Sequence, residues 1–146
     1  MLFKGKIMTQ EQLITIDQQQ YRLSDLSDHA QAQLNNLRFV DEQLQWRQGQ
    51  LALAQTAKAT YNRALADNLP SKKAAANKKK DVILIDDSKY NLDDFNDEAK
   101  NHLTNIRFAE QEIQRLSNQQ ALLYAARTQY AEALSSTLKN IQPVQA

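Results

Sequence analysis

The chain has no cysteine, two glycines, two prolines and one tryptophan in 146 residues. Each shortage removes a class of structure. Without cysteine there is neither a disulfide framework nor a thiolate metal site. So few glycines and prolines cannot supply the many turns of a β-sandwich or barrel. Gly5 and Gly49 lie too far apart to form a phosphate-cradling loop. No apolar run approaches the roughly 20 residues that span a bilayer as a helix. The opening MLFKGKIM carries two lysines but no apolar stretch long enough for a secretory signal. The expectation is a soluble intracellular protein.

Glutamine and alanine are abundant, 19 of each, and both are good helix formers. Apolar residues make up 42% of the chain, enough for a core, and the formal net charge is only +1. The length falls within one ordinary domain.

The sequence also says nearly the same thing twice. YRLSDLSDHAQAQLNNLRF begins at Tyr21 and YNLDDFNDEAKNHLTNIRF at Tyr90. A shift of 69 positions aligns residues 13–69 with 82–138 without a gap, and 21 of the 57 pairs are identical. Pairs kept in both copies include Ile14/Ile83, Asp17/Asp86, Tyr21/Tyr90, Leu34/Leu103, Arg38/Arg107, Phe39/Phe108, Tyr61/Tyr130 and Leu65/Leu134. Most are apolar or aromatic, as a shared core requires, and the two copies are expected to share one fold. The reading is an N-terminal extension (1–12), repeat one (13–69), a Lys-rich linker (70–81), repeat two (82–142) and a short tail (143–146).

Each copy opens on LITID or VILID, with isoleucine at alternate positions. Four polar residues, DQQQ or DDSK, and then YRL or YNL predict a small hairpin with a four-residue turn. A long helix follows. Ser27 and Asn96 are N-cap residues, with Asp28 and Asp97 in the first turn, where the helix dipole favours acids. No proline intervenes before Pro70 or Pro143, which leaves about 40 residues, or ~60 Å, of continuous helix per copy. Gly49 and its counterpart Asn118 mark the one place where a break is conceivable, and a continuous helix is preferred.

Apolar residues recur close to every seven. Leu37, Leu44, Leu51 and Leu65 share a register, with Lys58 in the gap, and Val40, Arg47, Ala54 and Tyr61 lie three residues on. Copy two runs Ile106, Ala109, Ile113, Leu116, Gln120, Leu123, Arg127, Tyr130 and Leu134. Phe39, Trp46 and Leu53 add a flanking stripe, partly echoed by Phe108 and Leu122. That breadth suggests more than one neighbour per helix. Phe39, Phe108, Tyr61 and Tyr130 are read as core aromatics. Lys58 and Arg127 either form a polar layer within the seam or lie at its edge with their stems covered. The fold class is mainly α with small β-hairpins (α+β): a tandem repeat of hairpin plus long amphipathic helix, packed as a helical bundle or coiled-coil-like assembly. The candidate interface is the set of stripe residues Leu37, Phe39, Leu44, Leu51, Tyr61, Leu65, Ile106, Phe108, Ile113, Leu116, Leu123, Tyr130 and Leu134.

The segment PSKKAAANKKKD holds five lysines and one aspartate, a net charge of +4 in a chain of +1. Lys72, Lys73, Lys78, Lys79 and Lys80 form a possible electrostatic patch for phosphate. The segment has neither arginine nor an interleaved aromatic for base stacking, so a solvated linker is the simpler reading. His29 aligns with Glu98 and His102 with Gln33, so neither histidine is kept, and both are read as surface residues. No metal spacing is present, the aspartates suit turns and caps, and no catalytic residue, metal site or cofactor is expected.

The pattern YxLxxLSDxAxxQLxxLRFVDxQL, followed by LALAQTAKATYNRAL, resembles an uncharacterised family of small bacterial and tailed-phage proteins. Residues 13–69 match it best, with 82–138 as a more divergent second copy. Most members carry one copy, so the tandem form resembles a covalently linked dimer. The resemblance carries no site residues, but it implies a virion setting. The expected function is a non-enzymatic structural or assembly protein that works through helix-mediated self-association, plausibly in a tailed-phage virion. Its partners would be itself, as a homo-oligomer or through intramolecular repeat pairing, and other structural proteins, with no membrane. The alternative is an intracellular adaptor or regulator that binds a partner protein or nucleic acid through the lysine linker.

Overall fold

A computed structural model describes residues 12–74 and 81–144. The order is β1 (Leu13–Ile16), β2 (Gln19–Arg22), a 3-10 turn (Leu23–Asp25), α1 (Asp28–Ala66), β3 (Val82–Ile85), β4 (Ser88–Asn91), a second 3-10 turn (Leu92–Asp94) and α2 (Asp97–Leu138). The chain is mainly helical with two small antiparallel hairpins, and every element of copy one has its counterpart in copy two. Residues 1–11, most of the expected N-terminal extension, lie outside the described residues, as do 75–80 and 145–146.

The hairpins differ from the sequence expectation in one respect. The turn has two residues rather than four, because Ile16 pairs with Gln19 and Ile85 with Ser88. Asp17 and Gln18 have φ of 48° and 69°, and Asp86 and Asp87 have 48° and 65°. Two consecutive left-handed residues match the twist of the flanking strands, as in a type I′ turn. Gln18 lacks the glycine that usually marks such a turn, so the polar run reads as a longer loop. Gln19 and Gln20 are strand residues.

Both helices start as expected. The Ala30 N–H donates to Ser27 Oγ at 3.1 Å, and the Ala99 N–H donates to Asn96 Oδ1 at 2.8 Å. Each bond satisfies one of the four backbone donors that a helix start leaves open. Both helices are continuous, α1 over 39 residues and α2 over 42. Gly49 therefore sits inside an unbroken helix. No atom of the described residues lies within 4 Å of a Cβ built there, so nothing in their packing requires a glycine. Glycine in a helix interior costs about 1 kcal/mol relative to alanine.

Compact units cut across the repeats. One comprises Met1–Gln45 with Ala121–Ala146, the other Trp46–Gln120. Each takes a hairpin and the first part of a helix from one copy and the last part of the other helix from the other. In the first unit, Ile14, Tyr21, Leu26, Ala30, Leu34 and Leu134 form the core, edged by Leu37 and Leu138. In the second, Tyr90, Phe95, Ala99, Leu103, Ile106 and Leu65 do so, edged by Tyr61 and Leu69. Leu34 packs in one core with Leu134 while Asp41 meets Arg127, and Leu65 packs with Leu103 while Lys58 meets Glu110, so in each unit the helix segments run in opposite directions. A two-stranded hairpin is marginal alone in water. What docks it is an Ile and a Tyr: Ile14 with Tyr21, both buried, or the buried Tyr90 with the half-buried Ile83.

Candidate functional site

The interface residues expected from the sequence divide into two sets. Leu65, Ile106, Leu116 and Leu134 are buried, with Leu116 and Leu134 only 2% exposed. Leu37, Leu44, Leu51, Tyr61, Ile113, Leu123 and Tyr130 are half-buried. Phe39 and Phe108 correct the core reading: they are 60% and 64% exposed. Trp46, Leu53 and Leu122 also face out, at 63%, 73% and 72%. The reason is angular. A residue two positions after a seam residue is rotated by about 200° around the helix, so the Phe39–Trp46–Leu53 row lies behind the seam rather than beside it.

Lys58 and Arg127 occupy the edge of the seam. Lys58 Nζ lies 3.5 Å from Glu110, and Arg127 Nε donates to Asp41 at 2.7 Å. The Asp41 carboxylate raises the Arg127 pKa further, through the hydrogen bond first and charge second. Nearer the middle of the helices, Arg47 Nε donates to Gln119 at 3.1 Å and Gln120 to Gln48 at 3.2 Å. His29 is exposed as expected. His102 is not a surface residue: its side chain is 18% exposed and stacks near Tyr61, ring centroids 6.4 Å apart. Lys72 and Lys73 are exposed, while Lys78, Lys79 and Lys80 lie outside the described residues.

A feature that the residue patterns did not announce recurs in both units. A groove of about 480 Å³ runs beside β1, and one of about 400 Å³ runs beside β3. Their linings correspond position for position under the 69-residue shift, except that Leu13 has no counterpart in the second groove. The floors are apolar: Ile14, Ile16, Leu34, Leu37 and Leu134 in one, and Ile83, Ile85, Leu103, Ile106 and Leu65 in the other. The rims are charged in matching order, with Asp17, Arg38, Asp41 and Arg127 against Asp86, Arg107, Glu110 and Lys58. In each rim one acid and one base are paired with each other, and the identical arginines, Arg38 and Arg107, have no ion-pair partner among the described residues. The retained Arg38/Arg107 pair was the available sequence signal. The ion pairs were hidden, because Asp41 and Arg127 are 86 residues apart.

Among the described residues no group of His, Asp and Glu could hold a metal ion, and no helix is long and apolar enough to cross a membrane. No family model, curated protein or solved structure matches this chain.

Proposed function

We propose that the chain is a non-enzymatic structural or assembly protein that acts through helix-mediated self-association. The observation that carries this reading is the outward apolar row Phe39, Trp46 and Leu53 on α1, at least 60% exposed throughout. Single exposed apolar residues are ordinary, but a row of three large ones at seven-residue spacing is the pattern a facing helix covers. Its surroundings add support. Trp46, Gly49, Gln50 and Leu53 stand at i, i+3, i+4 and i+7, the four positions that make a hole for a partner side chain. Gly49 lets a facing backbone approach closely, which gives its unexplained presence a purpose. From Trp46 to Thr60 this face carries no charge, so a second copy meets no like-charge repulsion. The virion setting rests on the family resemblance alone.

The single tryptophan is a built-in probe. Self-association is expected to give a mass above 16.7 kDa in light scattering and a concentration-dependent blue shift of tryptophan emission. Leu53→Ser is expected to abolish both while helicity is retained. A 16.7 kDa species with water-exposed emission up to millimolar concentration would overturn the reading.

A further inference from the structure

Each hairpin has one edge that the chain covers itself and one that no described residue covers. Around a two-residue turn the flanking pair is hydrogen-bonded and the bonded pairs then alternate. Ile16 and Ile14 therefore point their backbone groups at β2. The bond from the Leu23 N–H to Gln12 O at 2.9 Å continues that order, and the bond from Leu92 to Asp81 O at 2.8 Å continues it in copy two. Leu13 and Thr15, like Val82 and Leu84, present theirs to the opposite edge. On the far side, the Val144 N–H donates to Gln20 O at 2.6 Å and the Ala74 N–H donates to Lys89 O at 2.8 Å. Gln20 and Lys89 are equivalent positions. The segment that follows each helix thus already bonds to the outer edge of β2 or β4.

The other edge faces the groove. All of residues 13–17 line it and none of β2 does; in copy two 83–86 line it and none of β4 does. Unpaired strand edges are templates for another strand. Here the edge runs beside an apolar floor and a cation without a described partner. A third strand would satisfy the backbone of Leu13 and Thr15, turn alternate side chains onto the floor, and bring a carboxylate to Arg38.

We propose that each groove takes an extended acidic peptide that adds a third strand to β1 or β3, so that one chain binds two. The occupant is set by the chemistry of the grooves. It needs apolar side chains at alternate positions, because the floors are isoleucine and leucine. It needs an acid placed at Arg38 or Arg107 and away from Asp17 or Asp86 on the same rim, because Asp41 and Glu110 already neutralise Arg127 and Lys58, whereas Arg38 and Arg107 stand exposed. Four residues of strand match the four of β1. This site is separate from the Phe39–Trp46–Leu53 row and stands whether or not chains self-associate.

The test titrates the full chain with a fluorescein-labelled, end-blocked octapeptide, Ser-Glu-Val-Thr-Val-Glu-Val-Ser. Two peptides per chain are expected. N-methylation of alternate peptide nitrogens, which removes strand donors but keeps the side chains, is expected to weaken binding at least tenfold, as is lysine in place of glutamate. Thr15→Pro or Leu84→Pro blocks one open edge without touching a hairpin bond and is expected to halve the stoichiometry; the double variant is expected to bind none. Arg38→Gln and Arg107→Gln should each weaken one site. No binding at millimolar peptide, or binding indifferent to N-methylation, would overturn the proposal on the native protein alone. A concentration-dependent rise in mass that Thr15→Pro abolishes would assign the edge to a second copy and overturn it too.

Discussion

Leu65 in copy one and Leu134 in copy two are equivalent, and they are 3% and 2% exposed. Trp46 and Arg115 are equally equivalent and have nothing in common. Trp46 is 63% exposed on a face that carries no charge from there to Thr60, while Arg115 donates to Glu112 at 2.8 and 3.2 Å. Gly49 corresponds to Asn118, and Gln43 to Glu112. The two copies agree at most hairpin-core positions, and on the outer face they keep Phe39/Phe108 and Leu53/Leu122 but part between those pairs, at Trp46/Arg115 and Gly49/Asn118. Packing requirements act alike on both, because each core takes its hairpin from one copy and its closing leucine from the other. Between those pairs the outer face is free to specialise, and copy one alone has a stretch from Trp46 to Thr60 that carries no charge on this face and includes a glycine.

The largest effect should come from breaking what the copies share. Leu65→Ala and Leu134→Ala each empty a buried site and are expected to cost about 2–5 kcal/mol. Phe39→Ser and Phe108→Ser, also an equivalent pair, should change the stability of the single chain by no more than about 0.5 kcal/mol. Urea unfolding of the four variants at low concentration checks both halves. Equal costs at the leucine and phenylalanine positions would mean that the outer row is part of the core.

Next in size are the caps. Ser27→Ala and Asn96→Ala should each cost about 1 kcal/mol, since each leaves a helix-start N–H without its side-chain acceptor. The same two denaturation curves test whether the copies remain equivalent at their helix starts despite different cap residues.

Gly49→Ala sharpens the contrast between the outer faces. It should stabilise the single chain by roughly 1 kcal/mol, because alanine is the better helix former and the space around it is open. It should weaken self-association at the same time, because a methyl group now stands where a partner backbone approaches. Asn118→Ala should give a smaller gain, about 0.5 kcal/mol, and leave association unchanged. Thermal melts and light scattering on both variants separate the two effects.

Much of this architecture is legible in the amino-acid sequence. The 57-pair alignment locates both hairpins, both caps and both helices, and Gly49 does not break α1, because tertiary contacts on both sides of it outweigh one poor helix former. What fails to show is direction and distance. A seven-residue spacing marks a stripe at Phe39 but not whether it faces in or out, since apolar residues occupy both sides of this helix. The hairpin turn hides behind Gln18, a residue that does not advertise a positive φ. The grooves hide because each is closed by residues from the other copy's helix. Arg38 and Arg107 are visible as an identical pair, yet only the strand edge beside them gives that identity a meaning.

The smallest expected effect lies at Glu112, where copy two has an ion pair and copy one has the uncharged Gln43 and Trp46. The hydrogen bond from Arg115, more than its charge, holds the Glu112 carboxyl below its ordinary range. A folded pKa below the unfolded value means that the pair contributes stability above the unfolded carboxylate pKa of about 4.3. That contribution is lost as pH falls through the lower, folded value. Arg115 is exposed and Glu112 partly exposed, so the contribution is small and screened by salt. In a carboxyl NMR titration, Glu112 should titrate below the ordinary carboxylate range, and Arg115→Gln should return it there. Putting the same pair into copy one, as Gln43→Glu with Trp46→Arg, should produce a second low-titrating carboxyl and leave single-chain stability at neutral pH nearly unchanged. It should also abolish self-association, since the row on α1 would then carry the charges that copy two already has.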